Sequence, residues 1–267
     1  MGFSPAAAFV LGTLALTGTV GMLATQAKGA DRDRMAGIPH DAETFGFAVV
    51  EAHAGVPLLE ATRPFTLRLA NGPVHGAPPA AAQRADAARI VAHELGRYTP
   101  ALLRKIRIAG VVLTEGLTES EMPIPSLPNV GGLLLLDTHA TEAELVRVLH
   151  HELFHFFDHA DDSVVAPDPP WEALNPAGFL YGSGGRTLRG AWAARPTTEL
   201  PGVLSAYATS GVEEDKAETF SFAVTAPAFV DERAAVDPAV RAKLAELVRR
   251  LGDVDAAAPA RLGIAAR

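Results

Sequence analysis

The chain has 267 residues, of which 48% are hydrophobic and 20% are charged, and its formal net charge is −8. This composition is typical of a folded globular protein, and the acidic balance without a run of Lys or Arg argues against binding to nucleic acid. The chain has no cysteine, which excludes disulfides, thiolate metal ligands and a cysteine nucleophile, so a metal would have to be bound by His, Asp or Glu.

The N-terminal segment has the composition of an export signal or a membrane anchor. Residues 5–24 carry no charge and include the apolar run FVLGTLALTG, after which the sequence turns polar. The first cations, Lys28, Arg32 and Arg34, follow this run, which is the reverse of the usual charge bias. We interpret residues 1–30 as a signal peptide or N-terminal membrane anchor, which predicts that the folded domain is exported, to the periplasm or the medium, or is anchored on the outer side of the membrane. The alternatives are a mis-assigned start of the chain and a helix buried in the fold.

The remainder of the chain divides into three predicted regions. Residues 31–85 are rich in Ala, Gly and Pro and predict an N-terminal extension, with one alternating stretch, FTLRLA at residues 65–70, that predicts a strand. Residues 86–255 carry the longer periodic segments and predict the main domain. Residues 256–267 are interpreted as a C-terminal tail.

The first part of the main domain predicts both helices and strands. A helix is expected from about residue 85 to residue 105, with a kink or break at Pro100. The apolar runs IRIAGVVLTEG (residues 106–116) and GGLLLLDT (residues 131–138) predict two buried strands. Between them, ESEMPIPSLPN (residues 119–129) contains three prolines and predicts an irregular loop.

A helix with four histidines follows. Thr141 and Glu144 form a capping-box pattern, and apolar residues continue the helix. His151 and His155 are four residues apart, so both imidazoles project from one face, with Glu152 next to the first. This is the H-E-x-x-H pattern, in which two imidazoles bind zinc and the glutamate accepts a proton from an activated water. The alternative is a set of buried histidines that hydrogen-bond to carbonyl groups.

A third ligand would complete such a site, and Asp161 is one candidate. The metzincin pattern requires Gly three residues after the second histidine and His six residues after it, but the chain has Asp158 and Asp161 at these positions. No methionine follows the motif, so the Met-turn of that type is missing as well. Asp161 stays open as a third ligand of the kind found in shorter zincins.

A downstream acidic helix supplies another candidate. Ser210 and Glu213 form a capping-box pattern that predicts a helix beginning near Gly211. This helix would place Glu214 and Glu218 on one face, where two like charges repel. A metal at Glu214 and a ligand histidine hydrogen-bonded to Glu218 would relieve the repulsion. The alternative is an acidic first turn that complements the helix dipole.

The motifs of these two helices, HELFH, Tyr207 and EEDKAE, resemble the gluzincin type of zinc metallopeptidase, and in particular the branch of anthrax lethal factor and the Pro-Pro endopeptidases. In that branch a tyrosine lies seven residues before the ligand glutamate and another glutamate lies four residues after it, as Tyr207 and Glu218 lie relative to Glu214. The similarity covers residues 141–225, and Asp158 also matches lethal factor.

The resemblance implies a fold and a set of site residues. The fold would be a zincin-like α+β catalytic domain over residues 86–255. The implied zinc ligands are His151, His155 and Glu214, with Glu152 as general base, Tyr207 beside the developing oxyanion, and Glu218 and Asp158 contacting the ligand residues without binding the ion. The alternative for the tyrosine is a ring that packs in the core.

Together these observations predict an exported or membrane-anchored zinc peptidase that acts on a peptide or protein substrate. The substrate is expected to add as an extended strand at the edge formed by GGLLLLD, residues 131–137. Two alternatives stay open: a zinc-binding interaction module without turnover, and a purely structural histidine cluster. His150 is expected to pack or hydrogen-bond away from the metal, His159 to support the site or the fold, and His93 to lie on a helix surface.

Overall fold

The computed structural model describes residues 41–69, 72–162, 167–185, 188 and 194–264, without the side chains of residues 41, 129, 161 and 162. The predicted signal or anchor segment, residues 1–30, lies outside this range. Within the described ranges, no helix is both long enough and apolar enough to span a bilayer.

The described chain is an α+β fold with a mixed sheet. The strands are β1 (Phe47–His53), β2 (Val56–Ala61), β3 (Phe65–Leu69), β4 (Gly72–Ala77), β5 (Gly110–Glu119), β6 (Met122–Pro123), β7 (Ser126–Val130) and β8 (Leu133–Asp137). The helices are α1 (Asp41–Thr44), α2 (Ala81–Leu95), α3 (Pro100–Ile106), α4 (Glu142–Asp162), α5 (Pro169–Glu172), α6 (Val212–Thr225), α7 (Pro227–Val236), α8 (Pro238–Val254) and α9 (Ala258–Arg261), with a 3₁₀ turn at Tyr207–Ser210.

Strand β5 organises the sheet because its two halves have different neighbours. Its first half pairs in parallel with β2 and β8, which gives the order β1-β2-β5-β8-β7. Its second half pairs antiparallel with β4 and β6, and β3 lies outside β4. Gly116 lies in this second half, near where the pairing changes, with a φ of +63°. A side chain would strain this left-handed conformation, so glycine suits the bend.

Both faces of the sheet are buried, which explains the unbroken apolar run of β8. Leu134 and Leu136 join the larger core, which lies between the sheet and helices α2, α3, α4, α6 and α8. Leu133 and Leu135 point to the other face and join a smaller core with the aromatic residues of β1 and β3. Side chains alternate across a strand, so a strand covered on both sides requires apolar residues at every position.

Several predicted elements are confirmed with adjusted bounds. The strands expected at residues 65–70, 106–116 and 131–138 correspond to β3, β5 and β8. The helix expected at residues 85–105 is two helices, because Pro100 begins α3 and the Thr99 hydroxyl caps it by accepting a hydrogen bond from the Leu102 amide. Proline at the first position of a helix sacrifices no internal hydrogen bond, so it starts a new helix here.

The prediction of an irregular loop at residues 119–129 is wrong, since this segment forms β6 and β7. The Ile124 amide donates to the Leu117 carbonyl, and the Pro125 carbonyl accepts from the Asp137 amide. Pro128 lies in a bulge between paired residues Leu127 and Val130. Pro128 is tolerated because β7 pairs on one side only in the described chain, where a missing amide donor costs little.

This pairing also overturns the expectation that β8 is a sheet edge. Strand β8 has β5 on one side and β7 on the other. A substrate strand therefore cannot add to residues 131–137, and among the described strands the edge beside the metal-motif helix is β7.

The expected regions outside residues 86–255 contribute to the same fold. Strands β1 to β4, within the predicted extension, belong to the sheet that β5 organises, so residue 85 marks no break in it. At the other end, Ala258, Leu262 and Ile264 are at most 3% exposed and join the larger core. Arg97 donates a hydrogen bond to the Leu262 carbonyl, which ties the predicted tail to the end of α2.

Candidate metal centre

Helix α4 begins as its capping box predicts and presents two histidines on one face. The Thr141 hydroxyl accepts from the Glu144 amide, and the Glu144 carboxylate accepts from the Thr141 amide. His151 and His155 lie further along the helix, with their Nε2 atoms 3.1 Å apart. This separation follows directly from the four-residue spacing on a helix.

Helix α6 packs against α4 and brings Glu214 to the two histidines. Its Oε2 atom lies 3.1 Å from His151 Nε2 and 3.4 Å from His155 Nε2. One ligand atom from each of the three residues lies within 4.8 Å of the other two. A tetrahedral zinc ion with bonds of about 2.0 Å separates its ligand atoms by roughly 3.3 Å, so the three donors have the spacing that zinc requires.

The hydrogen bonds of His151 also fit a cation between the three donors. Its Nδ1 atom lies 3.0 Å from Glu218 Oε1, and a carboxylate can only accept, so the proton is assigned to Nδ1. The Nε2 lone pair of the neutral ring then faces Glu214, which is a second acceptor. Two acceptors 3.1 Å apart require a metal or a proton between them.

The charged groups of the cluster shift the pKa values of His151 and Glu214. Burial lowers the pKa of His151, but hydrogen bonds to Glu214 and Glu218 outweigh this effect and raise it to about 10. Burial opposes ionisation of Glu214, but its bonds to His151 and His155 hold the pKa of the carboxyl well below its usual range. When no metal lies between these groups, the shifts favour a protonated imidazole opposite an ionised Glu214.

Glu218 anchors His151 as predicted and is fully buried. Its Oε1 also accepts from Arg147, one turn before His151, at 2.9 Å. Its Oε2 accepts from the Ser205 hydroxyl, which in turn accepts from the Ala208 amide in the 3₁₀ turn. This chain of bonds ties the histidine to the turn that carries Tyr207. Sequence reasoning missed Arg147 and Ser205.

Glu152 is buried and bonded through one oxygen. Its Oε1 accepts from the Ser126 hydroxyl of β7 at 2.6 Å. Its Oε2 is buried and has no hydrogen-bond partner among the described residues. Glu152 directly follows His151 in α4, and its charge adds, after burial and the charge of Glu214, to the raised pKa of Tyr207.

Tyr207 brings its hydroxyl to the cluster. Its ring centroid lies 5.9 Å from that of His151, and its hydroxyl lies close to the Glu214 carboxylate, since both approach the Cα of Gly185. Burial raises the pKa of Tyr207 well above its usual range, and the charge of Glu214 raises it further, so the hydroxyl remains a proton donor at neutral pH. The hydroxyl therefore lies at the candidate site rather than within an apolar core.

Gly185 packs against both groups, and sequence reasoning missed it. A Cβ atom built at this position would overlap Glu214 Oε1 and the Tyr207 hydroxyl. The preceding residues bond to the 3₁₀ turn, since the amides of Gly182 and Gly184 donate to the carbonyls of Thr209 and Ser210. Any other residue at position 185 would displace Glu214 or Tyr207, so the glycine permits the close approach of this segment. Its run YGSGG was the only signal in the sequence.

The prediction of a capping box at Ser210 and Glu213 is wrong, although α6 begins near Gly211 as expected. Gly211 is the N-cap, and no side chain caps the helix. The Ser210 hydroxyl instead donates to the Tyr207 carbonyl at 2.6 Å. A Cβ atom at Gly211 would contact the Glu213 carboxylate, which therefore lies over the helix start.

The other predicted residues have different surroundings. Asp158 is buried and pairs with Lys216, with an Oδ2 to Nζ distance of 2.6 Å, so its contact with a ligand histidine stays a prediction. The side chain of Asp161, the alternative third ligand, lies outside the described residues.

The prediction for His150 is confirmed, because its ring stacks on Tyr98 and hydrogen-bonds to Glu94. His93 is confirmed on the helix surface, with its side chain 74% exposed, and His159 stays a prediction.

A network of buried charges supports α6 on the side away from the histidines. Lys243 bonds to Asp215 at 2.6 Å, and Trp171 and Tyr181 donate to the same carboxylate. Lys216 bonds to Asp168, which also forms a bidentate salt bridge with Arg250. Buried charges need such partners because desolvation of a lone charge is costly. Helix α6 is therefore fixed from both sides.

Comparison of the chain with protein-family models, with curated proteins and with solved structures gave no match. The functional argument therefore rests on the geometry of the described residues.

Proposed function

We propose that the protein is a zinc-dependent peptidase of the gluzincin type, exported or anchored through residues 5–24. The observation that carries the proposal is the convergence of three ligand atoms, from His151, His155 and Glu214, within 4.8 Å of one another. Glu152 and Tyr207, the two further groups that hydrolysis requires, lie beside them. An interaction module or a structural cluster would need neither of these two groups at the site.

Zinc bound at this site would lower the pKa of a bound water molecule and polarise the substrate carbonyl. Glu152 accepts the proton of the attacking water at Oε2, the oxygen that bonds to no described residue, and passes it to the amine of the cleaved bond. Tyr207 donates to the carbonyl oxygen as negative charge develops on it. Glu218 holds the proton of His151 at Nδ1, so that Nε2 remains a ligand atom.

The proposed substrate is a peptide that binds in extended form at the edge of β7. The Pro125 carbonyl accepts from the Asp137 amide, and bonded and non-bonded positions alternate along an antiparallel pair. The main-chain groups of Ser126 therefore face away from β8, to the side where no described strand pairs with β7. Pro128 has no amide donor, so main-chain recognition beyond Ser126 is limited on this side.

The decisive experiment compares Glu214→Ala with Glu152→Gln. Glu214→Ala leaves two imidazoles and should lose most of the zinc, whereas Glu152→Gln should retain zinc and lose cleavage because the water's proton has no acceptor. Zinc content by mass spectrometry and cleavage of a diverse peptide library by the purified protein measure the two effects. Asp161→Ala is the matched acid control and should keep both.

Two results would contradict the proposal. Stoichiometric zinc in Glu214→Ala together with its loss in Asp161→Ala would assign the third ligand to Asp161. A wild-type protein that binds zinc but cleaves no peptide of the library would favour the interaction module.

A further inference from the structure

Ser126 connects the open edge strand to the carboxylate of Glu152. The two residues are 9% and 8% exposed, main chain included, and the Ser126 hydroxyl lies 2.6 Å from Glu152 Oε1. This is a short hydrogen bond to a group that is charged when it acts as a base, and such bonds are stronger than those between neutral groups. The bond fixes one oxygen of the carboxylate and leaves Oε2 without a partner among the described residues.

The main chain of Ser126 has a second role at the same point of the fold. Its amide and carbonyl point away from β8, to the side where no described strand pairs with β7, whereas its side chain contacts Glu152 of α4. A peptide strand that paired with this edge would therefore contact the same residue that holds the base. Ser126 would then contact the substrate main chain through its own main chain and the base Glu152 through its side chain. One residue would therefore fix the position of the substrate relative to the base.

We propose that Ser126 is a positioning residue that orients Glu152 for proton transfer. This inference rests on the proposed peptidase function. The proton of the attacking water moves to Glu152 Oε2 and then to the leaving amine, and the proton of Ser126 remains on its hydroxyl throughout. Without the bond to Oε1 the carboxylate can rotate, and fewer of its orientations direct a lone pair at the water. A misplacement of about 1 Å in a catalytic group typically costs on the order of a hundredfold in rate.

A purely structural role for Ser126 makes a different set of predictions. The hydroxyl would then only satisfy a buried carboxylate, and its removal would lower the free energy of unfolding without a specific effect on catalysis. The two roles are separated by kcat, KM and zinc affinity measured together. Glu152 binds no zinc in the proposed mechanism, so a positioning role predicts a change in kcat alone.

The test uses Ser126→Ala, Ser126→Thr and the control Ser221→Ala in the full chain. Ser221 is also a fully buried serine, and its hydroxyl donates to the Glu218 main-chain carbonyl. We expect Ser126→Ala to lower kcat by about tenfold to a hundredfold, with KM and the zinc dissociation constant within about twofold of wild type. Ser126→Thr keeps the hydroxyl and should restore most of the rate, and Ser221→Ala should leave kcat unchanged.

A second measurement does not depend on turnover. Acetohydroxamate binds zinc and shares its proton with a neighbouring base, so its affinity for zinc-loaded protein reports the orientation of Glu152. By calorimetry, Ser126→Ala should weaken its binding severalfold in the wild-type background and have no effect in the Glu152→Gln background. Equal weakening in both backgrounds, or an unchanged kcat in folded Ser126→Ala, would overturn the inference while leaving the peptidase proposal intact. A wild-type protein without zinc affinity would instead contradict the proposed function, and the inference with it.

Discussion

At the scale of single residues, four histidines within ten positions of α4 have different surroundings because a helix distributes them around its axis. His151 and His155 share one face and meet Glu214. His150 is rotated by about 100° and lies fully buried between Tyr98 and Glu94. The chemistry of each histidine is therefore set by its partners from other elements, and the shared motif alone does not define it.

Tyr207 gives a prediction at this scale. Tyr207→Phe should lower kcat about a hundredfold to a thousandfold, corresponding to roughly 2.7 to 4 kcal/mol, with KM nearly unchanged, because the hydroxyl bonds most strongly to the developing oxyanion. Zinc should be retained, since the tyrosine is not a ligand. Steady-state kinetics and zinc content of the purified variant measure the effect.

The control for this prediction is Tyr98→Phe. Its hydroxyl is also buried and bonds to His150 Nδ1 at 2.7 Å, on the side of α4 away from the metal ligands. This variant should lower the melting temperature and leave kcat unchanged. The same loss of kcat in both variants would show that general destabilisation, and not the Tyr207 hydroxyl, slows the reaction.

At the scale of elements, the two capping-box patterns have different outcomes because the residues around them differ. The side chains of Thr141 and Glu144 bond to each other's main-chain amides at the solvent-exposed start of α4. Ser210 belongs to a 3₁₀ turn, and its hydroxyl bonds within that turn. Gly211 then caps α6 with an extended φ of −168°. A local pattern predicts a helix start, but neighbouring structure decides which residue caps it.

The capping box of α4 gives the second prediction. Thr141→Ala should lower the free energy of unfolding by about 1 kcal/mol, because it removes the acceptor for the Glu144 amide. The zinc dissociation constant should not change, since Thr141 lies ten residues before His151. Urea titration and zinc titration of the same preparation test both statements.

Thr141→Ser is the matched variant, because serine keeps the capping oxygen. It should retain most of the stability that Thr141→Ala loses. A loss of zinc affinity in Thr141→Ala would mean that the start of α4 and the site are coupled, contrary to this expectation.

At the scale of the whole molecule, buried hydrogen bonds of charged side chains join distant parts of the chain. Glu94 of α2 bonds to His150 of α4 and to Arg97. Arg97 also bonds to the carbonyl of Leu262, near the C-terminus. Burial opposes ionisation of Glu94, but His150 and Arg97 outweigh this effect and lower its pKa to about 2.

This lowered pKa predicts how stability depends on pH. The folded value lies below the ordinary value of 4.5, so the stability that Glu94 contributes is present above that pH and is lost as the pH falls towards 2. Wild type should exceed Glu94→Gln by on the order of 2 kcal/mol at pH 7, and the difference should shrink between about pH 5 and pH 3. Urea titrations of both proteins with a zinc chelator present measure this difference. A difference that does not vary with pH would contradict the assigned cause.

The described fold was predicted in part, and the errors have a common physical origin. The apolar run of β8 predicts a strand, but the three prolines of residues 119–129 predict a loop where the structure has its neighbour β7. Whether a proline fits a strand depends on whether its missing amide would face a partner. That depends on the pairing of the sheet, which the local sequence does not contain.

The sequence by itself determined the features that depend on short spacings. His151 and His155 share a face because they are four residues apart on a helix, and the same rule places Glu214 and Glu218 together. Only the tertiary structure decided which elements meet: Glu214 reaches His151 across 63 positions, Ser126 reaches Glu152 across 26, and Gly185 fits against Tyr207. The physical reason is that helix periodicity is a property of the local backbone, whereas these contacts arise when helices pack on a sheet and bury their apolar faces.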